Sequence, residues 1–253
     1  MKMRWYGPAS VSIETESASV LFDPYLPLRG SKVKTRLKDY AGFKTIVITH
    51  AHLDHIGSIA ELFEAEEREI YGTQAVYDAL TRLGIPEKNI HVIKPGDELC
   101  FGDIKITAYQ GRHIKFDRKL LLKTIFSFRH FKYIFNLGKI FKTARICKEK
   151  KETLGYLIKT EGKTVFAMGS LNLDDNTEYP TDMDYLFLPY QGRSSLLEPA
   201  LEVIDKLKPK SILLHHYDDT FPPLSRLIDT SDIEAELSGK LSVRKMEYKT
   251  EEI

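Results

Sequence analysis

The chain has 253 residues and a mass of 29.1 kDa, and 42% of its residues are hydrophobic, which is enough for the core of one large α/β domain. No apolar run approaches the roughly 20 residues that a membrane-spanning helix needs, and the first residues lead directly into strand-like sequence, so we expect neither an anchor nor a signal peptide. Two cysteines, Cys100 and Cys147, do not make a disulfide framework. We predict free thiols in a reducing, cytoplasmic compartment.

The formal net charge of +1 conceals an asymmetry along the chain. Residues 115–151 contain twelve Lys or Arg and two acidic residues, a net +10, whereas the rest of the chain carries −9. A basic segment is therefore set into an otherwise acidic protein.

Hydrophobic periodicity predicts the elements in chain order. Short strands are expected over residues 2–22, with a hairpin turn at 14–17, and the β-branched run at 45–48 predicts a buried strand. Further helices are predicted near 56–66, 74–83, 195–207 and 231–238, and further strands near 69–71, 90–93, 98–101, 104–109, 154–159, 164–168, 184–189, 211–214 and 241–248.

Four metal-binding side chains follow the strand at 45–48 within six residues: His50, His52, Asp54 and His55. Neutral imidazoles and a carboxylate suit zinc, iron or manganese. His50 and His52 are two residues apart, so an extended turn directs them to one side, while Asp54 and His55 can face a second position. The alternative is a solvated turn that caps the following helix, but three histidines and an aspartate would have little use there.

The pattern His-x-His-x-Asp-His after a hydrophobic strand resembles the metallo-β-lactamase superfamily of metal-dependent hydrolases, over most of the chain. The resemblance implies an α/β fold, a four-layer αββα sandwich, and we interpret residues 1–253 as a single domain with an insertion at 114–151. It also implies that Asp23 lies near the metal site, where the alternative is a simple Asp-Pro turn. Pro8 departs from the family, in which many members have His at this place.

The resemblance implies two groups of ligands. A histidine placed like His113 completes the first site of the family with His50 and His52; the alternative for His113 is an exposed loop histidine. A histidine before Tyr at the end of the strand at 211–214 ligates the second metal, with Asp54 and His55. His216 matches this position better than His215, because adjacent strand residues face opposite ways.

The sequence departs from the family again at Gly169-Ser170. The family usually has Gly-Asp here, and the aspartate bridges two metals. Asp174 or Asp175 could replace it, although we prefer to interpret both as loop carboxylates. Ser170 therefore predicts unequal sites, with the second metal held more weakly.

The implied activity is hydrolysis of an ester-type or phosphodiester bond by metal-activated water. We expect one or two divalent cations per chain, zinc before manganese or iron. With one ion bound, Asp54 could act as general base, and Tyr190 and His215 are candidates for protonating the leaving group. Two other interpretations stay open: a metal-binding protein of this fold with weak or no catalysis, and a nucleic-acid-binding processing factor.

The insertion, residues 114–151, interleaves basic and apolar residues and predicts one or two amphipathic helices, broken near Asn136-Leu137-Gly138. Because it starts directly after His113, we predict a cap beside the site that contacts a small or lipid-like anionic substrate, or a membrane surface peripherally. The alternatives are a helical hairpin docked on its own domain with its charges in water, burial of its apolar residues in a homo-oligomer, and nucleic acid, the partner we expect least.

Overall fold

The computed structural model describes residues 1–115, 117–125, 127–148, 150–248 and 250–252. The described strands are β1 (Lys2–Gly7), β2 (Ser10–Glu14), β3 (Ser19–Phe22), β4 (Thr45–Val47), β5 (Glu69–Gly72), β6 (Ile90–Val92), β7 (Glu98–Phe101), β8 (Ile104–Gly111), β9 (Thr153–Thr160), β10 (Lys163–Met168), β11 (Tyr185–Pro189), β12 (Ser211–His215), β13 (Ser242–Lys245) and β14 (Thr250–Glu252). The described α-helices are α1 (Leu53–Ile56), α2 (Ile59–Ala65), α3 (Gln74–Arg82), α4 (Arg118–Ile125), α5 (Arg129–Lys132), α6 (Ile134–Ala144), α7 (Leu197–Leu207) and α8 (Ser231–Leu237). Short 3-10 turns lie at Leu37–Tyr40 and Glu87–Asn89.

The strands form two seven-stranded mixed sheets that share one plan. The first runs β14-β1-β2-β3-β4-β5-β6, and the second runs β7-β8-β9-β10-β11-β12-β13. In each sheet, read in these orders, three antiparallel pairings are followed by three parallel ones. The last strand of the chain completes the first sheet, where Lys2 of β1 lies opposite Glu252 of β14.

Three apolar clusters hold four layers together. Between the sheets lie large side chains such as Trp5, Phe22 and Tyr156. Helices α2 and α3 cover the outer face of the first sheet, and α7 and α8 cover that of the second. Each fully buried large apolar side chain contributes about 1.5–3 kcal/mol. The predicted fold class, an α/β sandwich of helix, sheet, sheet and helix, is confirmed.

The ends of the central strands meet at one edge of the sandwich. The backbone N–H of Leu154 donates to the carbonyl of Thr49 at 2.9 Å, which joins the second sheet to the residues that follow β4. A Cβ at Gly169 would lie 2.6 Å from Cβ of Thr49 and 2.7 Å from the Leu154 carbonyl oxygen. A glycine is therefore required here for the end of β10 to approach the end of β4.

The helix predicted near 56–66 differs in its start and in its continuity. It begins at Leu53 and is divided into α1 and α2. Asp54 and His55 thus lie in the first turn of a helix. Gly57 ends α1 by donating its N–H to the Leu53 carbonyl at 2.8 Å, and a Cβ there would come within 3.2 Å of the Tyr25 ring.

The insertion forms three helices, α4, α5 and α6, where one or two were predicted. The break predicted at 136–138 is wrong, because these residues lie inside α6. The side chain of Asn136 donates to the carbonyls of Arg29 and Pro222 at 3.0 and 2.8 Å, and so does not compete for its own helix backbone. Among the described residues, no helix is long and apolar enough to cross a membrane.

Candidate metal centre

A buried hydrogen-bond network of Asp23 and Thr49 supports the histidines. Asp23 accepts from the backbone N–H of Thr49 at 2.8 Å and from its hydroxyl at 2.7 Å. Nδ1 of His55 lies 3.0 Å from the same carboxylate and donates to it. Because the Thr49 hydroxyl gives its proton to Asp23, its oxygen accepts from Nδ1 of His50 at 3.1 Å. Nδ1 of both His50 and His55 is therefore engaged, and Nε2 is the nitrogen that each would offer to a cation.

The first group consists of His50, His52 and His113, whose ligand atoms all lie within 4.8 Å of one another. His113 follows β8, and its Nδ1 donates to the Ile114 carbonyl at 2.7 Å, which leaves Nε2 for a cation. Nε2 of His50 lies 3.1 Å from Nδ1 of His52. Two nitrogens on a tetrahedral zinc are roughly 3.3 Å apart, given Zn–N bonds of about 2.0–2.1 Å, so this spacing fits a divalent cation.

The second group consists of Asp54, His55 and His216, also within 4.8 Å of one another. Oδ2 of Asp54 lies 3.0 Å from Nε2 of His216 and 3.8 Å from Nε2 of His55. His216 follows β12 with a left-handed φ of 61°. The ring centroids of His50 and His55 are 3.9 Å apart, so the two groups adjoin.

Burial and neighbouring charges set the protonation states in this cluster. Burial, and then the charge of His55, hold the pKa of His50 well below its ordinary value, so this imidazole is neutral. Burial alone would lower the pKa of His55, but the carboxylates of Asp23 and Asp54 raise it. Burial alone would raise the pKa of Asp54, but His55 and the hydrogen bond from His216 hold it well below its usual range. Asp54 is therefore ionised among imidazoles, a donor set suited to a divalent cation.

Both groups line a cavity of about 450 Å³. Its other walls are mainly apolar: Leu53, Ile114, Leu120, Ala144, Leu171, Phe221, Leu224 and Ile228. Gln191, Arg193 and Arg226 add polar groups. Leu120 and Ala144 come from α4 and α6, so the insertion forms part of the wall. A concave, mostly apolar site with a few converging polar groups is typical of small-molecule binding.

The model of the beta-lactamase superfamily domain matches residues 18–217. The chain belongs to the beta-lactamase superfamily. Among its relatives, the UPF0173 protein of Pyrococcus abyssi is 25% identical over 224 residues, 86% of this chain and 83% of that protein. The UPF0173 metal-dependent hydrolase of Pyrobaculum islandicum is 26% identical over 230 residues, 88% of this chain and 86% of that protein.

The solved structure of a metallo hydrolase of Ignicoccus hospitalis superposes with a TM-score of 0.63 at 22% identity, covering 100% of this chain and 98% of that one. This likeness shows a shared fold. The predicted membership of the metallo-β-lactamase superfamily is confirmed, and the prediction of a metal-dependent hydrolase agrees with the UPF0173 relatives.

In this chain, Ser170 stands at the position where the family resemblance implies a bridging carboxylate. Its hydroxyl accepts from the Ile114 backbone N–H at 3.0 Å and lines the cavity. Asp174 does not replace the missing group, because its Oδ1 accepts from the Asn176 N–H at 3.0 Å and the Thr177 hydroxyl at 3.1 Å, away from the cavity. The interpretation of Asp174 as a loop carboxylate fits these contacts.

The two residues predicted as proton donors, Tyr190 and His215, form their hydrogen bonds away from the cavity. The Tyr190 hydroxyl donates to Asp232 at 2.8 Å. Nδ1 of His215 donates to the Pro8 carbonyl at 3.2 Å, and burial lowers the pKa of His215 to about 3. The described lining of the cavity contains neither residue. His215 is the last residue of β12, and its ring packs near that of Phe187, with centroids 6.2 Å apart, whereas His216 follows the strand with a left-handed φ.

Sequence reasoning missed the part played by Thr49 and by Arg226. Thr49 stands directly before the histidine motif, and its hydroxyl lies 3.1 Å from Nδ1 of His50 and 3.2 Å from Nδ1 of His55. The position of Thr49 directly before His50 could have indicated that its hydroxyl supports the histidines. Arg226 reaches the cavity from a loop more than 160 residues after the motif, and no local pattern marks it.

Proposed function

We propose that this protein is a metal-dependent hydrolase that cleaves an ester-type or phosphodiester bond in a small or lipid-like anionic substrate. One observation carries the proposal: two adjoining sets of three metal-binding side chains line a single, mainly apolar cavity of about 450 Å³. A structural metal site would be closed by its ligands, whereas a catalytic site borders space for a substrate.

His50, His52 and His113 would hold the first cation, and zinc is the metal that three neutral imidazoles suit best. Asp54, His55 and His216 would hold a second, without a carboxylate from Ser170 to tie the two together. A bound divalent cation lowers the pKa of a coordinated water to about 7 and polarises the bond under attack.

When only the first cation is bound, we assign Asp54 as the general base that takes the proton of the attacking water. Its carboxylate is ionised, faces the cavity, and lies next to the imidazoles of both His55 and His216. It accepts the proton as the water oxygen bonds to the acyl carbon or phosphorus and the bond to the leaving oxygen breaks. The proton then passes to that oxygen, giving an acid and an alcohol.

The cavity walls support the substrate class. Apolar residues from several segments, including Leu120 and Phe221, would contact an acyl or other apolar group. Arg193 and Arg226 line the same space and would pair with an anionic group. Cys147 also lines it, where burial raises the pKa of its thiol to about 12. Both cysteines are free, as expected in the cytoplasm.

The test is hydrolysis by zinc-loaded protein of nitrophenyl esters of short and long acids and of bis(nitrophenyl) phosphate. Asp54→Asn should lower kcat by about 10²–10⁴-fold, the usual worth of a positioned base. Arg226→Ala should raise KM for a substrate with an added carboxylate more than for its neutral analogue.

Asp174→Asn is the matched control, because this carboxylate bonds its own loop, and it should retain the wild-type rate. A zinc-loaded wild type that turns over no substrate of either class, at any metal occupancy, would favour the interpretation of a metal-binding protein without catalysis. Activity equal in Asp54→Asn and wild type would remove Asp54 from the mechanism.

A further inference from the structure

The outer surface of the insertion exposes large apolar side chains. Leu122, Phe128, Phe131, Ile134, Phe135 and Phe141, which we call the insertion face, are 55%, 88%, 77%, 56%, 73% and 64% exposed. The rings of Phe128 and Phe131 lie 6.5 Å apart. Single exposed apolar residues are ordinary, but a group of this size on one short segment marks an interaction surface.

Helix α6 buries polar side chains and exposes apolar ones, which is the opposite of an ordinary surface helix. Asn136, Ile140 and Thr143, spaced by four and three residues, are buried against the rest of the protein. The outward side carries Ile134, Phe135 and Phe141 instead. A helical hairpin that simply docked on its own domain would bury these aromatic rings and expose the asparagine and threonine. The arrangement therefore disfavours the docked-hairpin alternative.

Exposed basic residues lie in the same segment as the insertion face. Lys119, Lys142 and Arg145 are exposed and form no ion pair with the described residues. Lys132 is also exposed, and its Nζ lies 5.3 Å from the centroid of the Tyr133 ring. Phenylalanine side chains flanked by unpaired lysine and arginine are suited to an anionic interface that has an apolar layer beneath it.

We propose that the insertion face docks on the surface of an anionic phospholipid bilayer. Lysine and arginine would pair with the headgroups while the phenylalanines enter the boundary between headgroups and acyl chains. A symmetric dimer through the same face is disfavoured, because it would bring two segments of net +10 together. Nucleic acid would stack on phenylalanine but leaves Leu122 and Ile134 without a partner.

The docking does not depend on hydrolysis, but it would complement the proposed function. Helices α4 and α6 carry both parts: Leu120 and Ala144 line the cavity, while Leu122 and Phe141 belong to the insertion face. A bilayer bound to this face would therefore lie against the helices that wall the cavity.

The experiment is co-sedimentation of the metal-loaded protein with vesicles of phosphatidylcholine alone or mixed with phosphatidylglycerol. We expect binding to the mixed vesicles at low salt to exceed binding to neutral ones by at least about tenfold, as headgroup attraction implies. The triple variant Phe128→Ser, Phe131→Ser, Phe135→Ser should bind the mixed vesicles at least about tenfold more weakly, because it lacks the apolar contacts. Lys132→Glu with Lys142→Glu should lose binding and its salt dependence.

Leu227→Ser and Lys105→Glu are matched controls, since both residues are exposed outside the insertion. They should bind like wild type, and all variants should keep their metal. Failure of the wild type to bind anionic vesicles at low salt overturns the proposal. So does binding that the phenylalanine variant leaves unchanged, because contact would then be purely electrostatic or elsewhere. A solution dimer that the same variant dissociates, without vesicle binding, would make a second copy the partner.

A reporter variant tests insertion directly. The single tryptophan, Trp5, is 1% exposed and stacks on Tyr248 at 4.6 Å, so its emission should not respond to vesicles. Phe131→Trp adds an indole on the insertion face. Its emission should shift to shorter wavelength on anionic vesicles and be quenched by brominated acyl chains. An added tryptophan whose emission and quenching do not change would contradict docking by this face.

Discussion

The metal centre and the insertion break the ordinary rule of burial in opposite directions. In the first, polar groups such as Asp23, His50 and His55 are about 2% exposed or less inside the sandwich. In the second, Phe128 and Phe131 are 88% and 77% exposed. Buried polar groups and exposed apolar groups both cost free energy of folding, so each region indicates a role other than stability.

The two regions differ in how they are held. In the metal centre, the buried carboxylate of Asp23 bonds both Thr49 and His55 at the ends of the central strands. The insertion is attached by polar contacts of Asn136 and Asp117, by ion pairs such as that of Arg129 with Asp219 at 2.6 Å, and by the buried side chains of Ile140 and Cys147. We infer a preorganised centre beside a wall that can open locally at a lower free-energy cost.

The largest effect should follow removal of the first ligand group. His50→Ala combined with His52→Ala deletes two of three imidazoles, which should weaken metal binding beyond the 10–100-fold typical of losing a supporting partner. Elemental analysis of the purified wild type should give at least about one transition metal per chain, and the variant should give almost none. His91→Ala, which removes a surface histidine paired with Glu69, is the control. Full metal content in the double variant would contradict the assignment.

The second effect concerns attachment of the insertion. Asn136→Asp keeps the side-chain size but removes both N–H donors to the carbonyls of Arg29 and Pro222. Leaving buried carbonyls unpaired costs about 1–3 kcal/mol. Amide hydrogen exchange over 129–144 should therefore accelerate, while metal content stays unchanged. Asn176→Asp, on a loop far from the insertion, should leave this exchange as in wild type. Equal exchange in both variants would mean that other contacts hold α6.

Sequence patterns predicted the structural features that depend on residues close together in the chain. The alternation of apolar residues located most strands. The spacing of the histidine motif marked four of the grouped residues, and the family resemblance implied the other two, His113 and His216. In contrast, β14 joins β1 from the other end of the chain, and no local signal at Thr250–Glu252 marks that pairing. The break predicted at Asn136 was wrong for the same reason, because its partners Arg29 and Pro222 are distant in sequence.

Side-chain direction was equally hard to predict. The sequence left open a docked hairpin with its apolar side inward, whereas α6 turns Phe135 and Phe141 outward. Tyr190 was assigned to the cavity from its loop alone, but tertiary packing directs its hydroxyl to Asp232. Contacts between distant elements decided both cases.

A third, intermediate effect should follow restoration of a carboxylate at position 170. Ser170→Asp places an anionic oxygen where the resemblance implies a bridge, and should tighten the second cation by about tenfold. Competition with a chelator measures the release of each ion. Ser170→Ala is the control, because it removes only the hydroxyl that accepts from Ile114, and it should not tighten the second ion. Two equally tight ions in the wild type would disprove the predicted inequality.

The smallest effect concerns Asp117, which fastens the start of the insertion at the surface. Its carboxylate accepts from the backbone N–H groups of Ser194 and Leu120, both at 2.7 Å, and from the Ser194 hydroxyl at 2.8 Å. The backbone bond from Ser194, then that from Leu120, lowers the pKa of Asp117 to about 2. A lowered pKa means that this attachment is complete above the ordinary value of about 3.9 and is lost only as the pH falls through about 2.

Protection of the Ser194 amide should therefore stay constant from roughly pH 5 to 9 in the wild type, since the carboxylate remains ionised throughout. Asp117→Asn can still accept from Leu120 but turns an NH₂ toward Ser194, and should lower that protection a few-fold at every pH in this range. Hydrogen exchange of Ser194 and Leu120 measures both bonds, and Asp175→Asn controls for loss of a surface charge. Wild-type protection that already declined near pH 5 would show that the carboxylate does not hold this end of the insertion. The start of the insertion would then depend on other contacts, such as those of Asn136 and Arg129.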